Sequence, residues 1–269
     1  MSRSKYYQWL DNPLPKRQIK DSLLESKIRI IYQKSKGRYG APRIHADLKD
    51  QGEWVSRKRV ARIMRQNKLV AISSKKFKAT TNSKHSLPIC PNLLKQNFVF
   101  AKPNQAWVGD ITYVPTKQGW LYLATVIDLY SRMVVGWAAG ERMTTDLVEK
   151  AFLQAYWKRK PAEGLIFHSD RGSQYASHRY QKLLRTLKVR QSMSAKGCCY
   201  DNAVAESFFG KIKTEFINHQ QFISRKQAKS GIFEFIEIYF NRERKHSTLN
   251  YLSPLHFEEL CYLSNIFVS

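Results

Sequence analysis

Near residue 100 the hydrophobic pattern changes period, and that change alone restricts the chain to an architecture of two unlike parts. Before it, apolar residues recur at helical spacing; after it, they run in extended, β-branched segments bounded by turn residues. In the first part, Ile28, Ile31 and Tyr32 precede Gly37 at helical spacing. A second helix opens at Pro42, with Ile44 and Leu48 facing inward before Gly52. A third follows Ser56, a good acceptor for the free N–H groups of a first turn, and buries Val60, Ile63 and Met64. Arg57, Lys58, Arg59, Arg62, Arg65 and Lys68 then point away from that core. A short turn, Gly52–Val55, leading into a basic helix is the pattern of a helix-turn-helix laid against DNA. The plain alternative for the six cations is a solvated helix face.

In the second part, Ala106 to Val114, Leu121 to Asp128 and Met133 to Ala138 predict a three-strand meander with turns at Gln118-Gly119 and Ser131-Arg132. A helix from Thr145 to Trp157 is expected next, then a short buried strand from Leu165 to His168 and a helix from Gln174 to Leu187. A strand from Val189 to Met193 and a helix from Asp201 to Ile217 complete the series. A mixed sheet flanked by helices accommodates that order.

Charge narrows the partners. Of the 269 residues, 46 are Lys or Arg and 21 Asp or Glu, a formal net charge of +25 that suits a polyanion. Residues 1 to 100 hold 23 basic and 6 acidic residues, so the excess lies in the first third. Aromatic residues at 13% exclude a disordered basic tail. No apolar run is long enough for a membrane span and the first residues lack an apolar signal core, so a cytoplasmic protein is expected. Cys90, Cys198, Cys199 and Cys261 form neither a C-x-x-C pair nor a disulfide framework. The polar, basic stretch from Lys75 reads as a linker.

Three carboxylates stand out. Asp110 interrupts the apolar strand Trp107-Val-Gly-Asp-Ile-Thr112, where an ionised group needs positive compensation. Asp170 follows Leu165-Ile-Phe-His-Ser, at the strand end where mixed sheets place ligands. Turning 100° per residue, Glu206 shares a stripe with Asn202, Gly210 and Lys213, away from the apolar Val204, Phe208, Phe209 and Ile212. Individually, Asp170 reads as a turn former and Glu206 as an exposed helical residue. Together the three are the hard oxygen donors that Mg²⁺ or Mn²⁺ prefers, and a pair of such ions can clamp an in-line phosphoryl transfer.

Asp110, Asp170 and Glu206, with 35 residues between the last two and a Lys seven residues beyond, resemble the triad of retroviral-integrase-type transposases. Tyr39-Gly-Ala-Pro-Arg-Ile-His45, Trp107-x-x-Asp110-Ile-Thr112, Asp128-x-x-Ser131-Arg132, His168-Ser-Asp170-Arg-Gly-Ser-Gln-Tyr175 and Asp201-Asn-Ala-x-x-Glu206-Ser-Phe-Phe209 narrow the resemblance. So does the tail from Tyr239-Phe-Asn241 through His246, Leu249, Tyr251 and Ser253-Pro254 to Phe257. The chain is similar, from about Lys27 to Glu259, to the second-reading-frame transposases of the insertion-sequence-three family.

The resemblance implies an α/β, RNase H-like catalytic core with C-terminal helices over 101–260, a helix-turn-helix domain over 27–74 and a basic linker over 75–100. Residues 1–26 would be a lead segment and 261–269 a tail. Asp110, Asp170 and Glu206 would be catalytic and hold two Mg²⁺ or Mn²⁺ ions. Asn202, Lys213, Arg57, Lys58, Arg59, Arg62 and Arg65 would contact double-stranded DNA, both transposon ends and target. The activity would be cleavage of those ends and strand transfer, in a bacterial cytoplasm, by a homo-oligomer on DNA fused to or partnered with an upstream-frame DNA-binding product. Asp128 belongs to a turn in this pattern, and Asp201 is expected to cap its helix. His45, His85 and Cys90 lack the spacing of a zinc module, so no zinc is expected. The competing readings are a non-catalytic DNA-binding repressor on the same fold and an RNase H-like nuclease that hydrolyses without joining.

Overall fold

The computed structural model describes residues 2–10, 15–72, 87–195 and 199–266, and the chain divides into two compact units, Met1–Ser73 and Ser74–Ser269. Among the described residues no helix is long and apolar enough to cross a membrane.

The first unit contains α1 (Arg3–Leu10), α2 (Lys16–Lys34), α3 (Ala41–Asp50) and α4 (Arg57–Gln66). Leu24, Ile28 and Ile31 of α2 pack with Ile44 and Leu48 of α3 and Val60, Ile63 and Met64 of α4. Ser56 caps α4 by accepting from the Arg59 N–H at 3.3 Å, and Pro42 sits in the first turn of α3. The expected boundary between a lead segment and this domain at 26/27 is corrected: α2 runs straight through it. Leu24 lies four and seven residues before Ile28 and Ile31 and so extends the same buried stripe by a turn.

The second unit is built on a five-stranded sheet of β1 (Ala106–Thr116), β2 (Gly119–Asp128), β3 (Val134–Gly140), β4 (Ile166–Ser169) and β5 (Arg190–Met193). The spatial order is β3-β2-β1-β4-β5, with the first three antiparallel and β1-β4-β5 parallel. On one face, α5 (Thr145–Arg159) buries Phe152 against Trp107 and Phe167. It packs so closely that a Cβ on Gly136 would lie 2.4 Å from the Ala151 carbonyl oxygen, so only glycine fits there.

The single helix expected over 174–187 is instead two, α6 (Ser173–Ala176) and α7 (His178–Thr186). Ser177 breaks it with an extended backbone and caps α7 at the Tyr180 N–H. On the other face lie α8 (Ala203–Glu215), α9 (Arg225–Phe233) and a ten-residue π-helix (Glu234–Glu243), while α10 (Pro254–Ile266) packs Leu255 against the α5 side and pairs Glu258 with Arg159 of α5. Phe208, Ile212, Phe235 and Phe240 join Val108, Leu123 and Ile127 of the sheet in the second core.

Two polar devices lock this second layer. The Asn241 amide accepts from the Val134 N–H at 3.0 Å and donates to the Val134 carbonyl at 2.9 Å, pairing an otherwise free edge of the sheet. Arg244, 1% exposed, forms a two-pronged ion pair with Glu215, 8% exposed, at 2.9 and 2.6 Å, and Tyr239 donates its hydroxyl to the same carboxylate. The linker expected over 75–100 is also corrected for its second half. Leu94 is buried in the core, the Leu93 N–H donates to Ser192 Oγ at 2.8 Å and Gln181 donates to the Pro88 carbonyl. Apolar Leu87, Cys90 and Leu94 carry enough burial to fix this segment to the sheet, whereas residues 75–86 lie outside the described residues.

Candidate active site

Parallel pairing brings the two aspartates together. Gly109 stands opposite Ser169, so the next residue of each strand is Asp110 on β1 and Asp170 just past β4. Gly109 is the neighbour this arrangement demands, because a Cβ there would lie 2.4 Å from the Phe167 ring. The Gly172 N–H donates to Asp170 Oδ1 at 2.9 Å and the Ile111 N–H to Asp110 Oδ1 at 2.7 Å, so each carboxylate is oriented by backbone. Burial first, then repulsion from Asp170 and from Glu206, holds the Asp110 carboxyl well above the usual range, against the Ile111 N–H and Lys213, which lower it.

Glu206, in the first turn of α8, is exposed, and partial desolvation pushes its carboxyl up. Among the described residues no three His, Cys, Asp or Glu side chains converge closely enough to ligate one ion. Of the other two carboxylates, Asp170 acts on Asp110 more strongly than Glu206 does. The donor set still fits a hard divalent cation: all three candidates are carboxylates, and the mutual repulsion felt at Asp110 is relieved by positive charge.

Lys213 supplies part of that charge. Its ammonium stands 4.7 Å from the centre of the Tyr113 ring, a cation–π arrangement, and burial lowers its pKa while Asp110 raises it. Asn202 does not join the exposed stripe expected for it. It is buried at the start of α8, with Oδ1 lacking a partner. Asp201 is not the cap either: Oδ2 accepts from the Ala195 N–H at 2.7 Å and from Asn92 at 2.9 Å, and a 3-10 turn, Cys199–Asn202, precedes α8. Residues 196–198, between β5 and this turn, lie outside the described residues.

Sequence reasoning missed three contributors. His168 is buried, bonded through Nδ1 to Ser192 Oγ at 2.8 Å and through Nε2 to Ser194 Oγ at 3.2 Å, and burial lowers its pKa to about 4. It is a neutral bracket that holds β4 to β5 immediately before Asp170. Tyr175 is buried beside both aspartates, whose charges add to burial in raising its phenol well above the usual value. Tyr113 carries Lys213. Only the His168-Ser-Asp170 to Tyr175 motif signalled any of them. Asp128 remains apart: it accepts from the Asn104 and Tyr130 N–H groups and from Trp107 Nε1, as a turn residue does.

In the first unit the six cations of α4 and its C-terminal turn divide. Arg57, Lys58, Arg65 and Lys68 are exposed, but Arg59 and Arg62 each reach Asp21 of α2 at 2.7 Å. Hydrogen bonds from Arg62 and then Arg59 hold the Asp21 carboxyl below its usual range. His45 Nε2 is spent on the Val55 carbonyl at 2.9 Å, and His85 lies outside the described residues. Replacing Arg57, Lys58 and Arg65 with Gln should flatten the slope of log affinity against log salt on duplex DNA by up to about 0.9 per lost phosphate contact. Replacing Arg59 and Arg62 should change that slope far less, and the opposite ranking would return the exposed face to plain solvation.

A mixed β3-β2-β1-β4-β5 sheet with strand-end aspartates on adjacent parallel strands, helices on both faces and a separate basic helical unit is the class of integrase-type polynucleotidyl transferases. Residues 101–199 match the integrase core domain family, residues 187–254 a second integrase core domain family, and residues 18–77 an HTH-like domain family. The transposase InsF for insertion sequence IS3A of Escherichia coli (strain K12) is 45% identical over 260 residues, covering 96% of this chain and 90% of that protein. The uncharacterized 31 kDa protein of insertion element IS600 from Shigella sonnei is 44% identical over 259 residues, covering 96% and 95%. Among solved structures, the HTLV-2 integrase catalytic core domain in complex with magnesium is similar with a TM-score of 0.45 and 17% identity, over 58% of this chain and 97% of that one. The chain belongs to the IS3 family of insertion-sequence transposases.

Proposed function

We propose that this protein cuts the DNA ends of its own mobile element and joins them to a target by in-line phosphoryl transfer, with Asp110, Asp170 and Glu206 as its catalytic carboxylates. The observation that carries the reading is the β1-β4 register, which sets Asp110 beside Asp170 with Lys213 acting on Asp110. The residues that would hold Mg²⁺ or Mn²⁺ are the two aspartates together with Glu206. Bound there, two ions would supply positive charge to the attacking and leaving oxygens of the reacting phosphate.

The chain's own side chains do the rest. The Gly172 and Ile111 N–H groups aim the carboxylates. Lys213, a point charge already tethered over Tyr113, holds a phosphate next to the scissile bond. Arg57, Lys58 and Arg65 grip DNA phosphates from the first unit. Family membership in the IS3 transposases supports the DNA substrate, action as several copies on DNA, partnership with an upstream-frame product, and a place in the bacterial cytoplasm. Nothing observed favours the repressor reading.

The test is strand joining by the full chain, with the upstream-frame product present, on labelled duplexes ending in the element's terminal repeat. Magnesium-dependent joining is expected. Lys213→Ala should lose joining yet keep the rise in melting temperature on adding Mg²⁺, while Glu206→Gln should lose joining and weaken that rise. Hydrolysis without joining would make the protein a nuclease, and DNA binding with neither activity would make it a repressor.

A further inference from the structure

The β1-β2 hairpin runs past the end of the core that α5 covers. On that face the core ends at Ile111 and Tyr122, both half-buried. Further out, Tyr113, Pro115 and Trp120 stand exposed. Residues opposite one another in a ladder share a face, and the register sets Tyr113 against Tyr122 and Pro115 against Trp120. Tyr113 and Trp120 are thus diagonal neighbours, with their ring centres 4.9 Å apart and their planes at 80°. Trp120 is 50% exposed and Tyr113 37%. Rings of this size left side by side in water forgo a burial that a flat apolar ligand restores.

The hairpin that carries these rings is pinned. Thr116 Oγ1 donates to the Gly119 carbonyl at 2.6 Å and accepts from the Gln118 N–H at 3.2 Å, and the Lys117 N–H donates to the Phe222 carbonyl at 2.9 Å. Arg225, at the start of α9, donates Nε to the Trp120 carbonyl at 3.2 Å and pairs with Glu141 at 3.1 Å. Little ordering is then needed when a ligand arrives. The position of the rings sets what that ligand is. β4 pairs with β1 only as far as Gly109, and from Asp110 to Pro115 this edge of β1 has no strand partner among the described residues. At this open edge the Lys213 ammonium lies 4.7 Å from the centre of the Tyr113 ring while its charge acts on Asp110, so it links the carboxylate site to the rings. Tyr113 is three residues beyond Asp110, about 10 Å along the strand, a distance that a short unpaired stretch of DNA spans.

We propose that Tyr113 and Trp120 form a stacking platform for an unpaired base at the end of the DNA, next to the phosphate that Lys213 holds. A nucleotide carries a π face and a phosphate, and an aromatic pair beside an ammonium offers a partner to each. The end of the duplex supplies that base, because a base must leave its stack to lie on a ring and an unpaired one does so at the least cost. The assignment rests on the proposed reading of the chain as acting on DNA ends, and it adds to that reading a binding surface outside the three carboxylates.

The experiment measures binding by the full chain, in chelator, of one duplex ending in a short unpaired tail and of the same duplex with the bases of that tail removed. The abasic tail keeps its phosphates, so the ratio of the two affinities reads the bases alone. The wild type should prefer the intact tail by about tenfold, the order that one base–aromatic stack contributes. Trp120→Ala should erase that preference without changing the slope of log affinity against log salt, since no phosphate contact is lost, and Trp120→Phe should keep most of it. Lys213→Ala should weaken binding of both tails alike. A 2-aminopurine placed in the tail should lose fluorescence on binding to the wild type and keep it with Trp120→Ala. Should Trp120→Ala fail to fold, Tyr113→Leu should reduce the preference in its place. Equal affinity for the two tails overturns the platform, as does a preference that Trp120→Ala leaves intact. Joining in Mg²⁺ by a protein that does not tell the tails apart would remove the platform and leave the proposed activity standing, whereas a preference without joining would keep the platform and remove the activity.

Discussion

Asp170→Asn should reduce DNA joining by at least about a thousandfold, the equivalent of some 4 kcal/mol of transition-state stabilisation, while the metal-free protein melts higher than the wild type. Both halves come from one geometry. Asp170 is the charge nearest Asp110 along the β1-β4 register, and its repulsion is the largest cause after burial of the raised Asp110 carboxyl. A carboxyl whose folded pKa is raised keeps its proton in the native state after the unfolded chain has lost it. Stability therefore falls as pH rises from the ordinary carboxylate value through the raised one. Removing the Asp170 charge lowers that folded value and shrinks the loss at neutral pH. Melting curves from pH 3 to 8 in chelator, beside a joining assay in Mg²⁺, measure both effects. Joining within tenfold of wild type would remove Asp170 from the catalytic set.

Arg244→Met should destabilise the second unit by about 3 to 5 kcal/mol, the cost of leaving a buried carboxylate without its partner. Glu215 sits at the last turn of α8, and its carboxylate takes two prongs from Arg244 and the hydroxyl of Tyr239, so the ion pair fastens the helix of Glu206 to the π-helix. Glu215→Leu combined with Arg244→Met should recover most of that loss, because replacing a buried pair with packed apolar side chains is close to neutral. Denaturant unfolding of the wild type, the single and the double variant measures it. A single variant within about 1 kcal/mol of wild type would show that the pair is already solvated.

Much of the catalytic unit was legible because its elements obey local rules. The meander, the helix from Thr145 and the two short parallel strands lie within a few residues of their expected places, since alternation and turn residues act over a handful of positions. Misses fell where a distant contact overrode local pattern. Residues 87–100 look like a linker by composition, yet Leu94 has a slot in a core assembled from strands and helices up to 146 residues away, at Phe240. Asp201 has the composition of a cap, but Ala195 and Asn92 claim its carboxylate first. The π-helix over Glu234–Glu243 has no local signature.

By itself, the amino-acid sequence determined the two-part architecture, the strand order of the meander and the identity of three carboxylates in an apolar setting, because periodicity and residue chemistry are properties of short windows. Only the tertiary structure decided which charges are available. It pairs Arg59 and Arg62 with Asp21, some 40 residues away, buries Asn202, seats Lys213 on Tyr113 beside Asp110, and leaves Arg132 Nη1 facing no acceptor. The reason is physical: whether a cation is free depends on which acid the fold brings within about 3 Å, and that proximity is set by packing between distant segments, which no local pattern encodes.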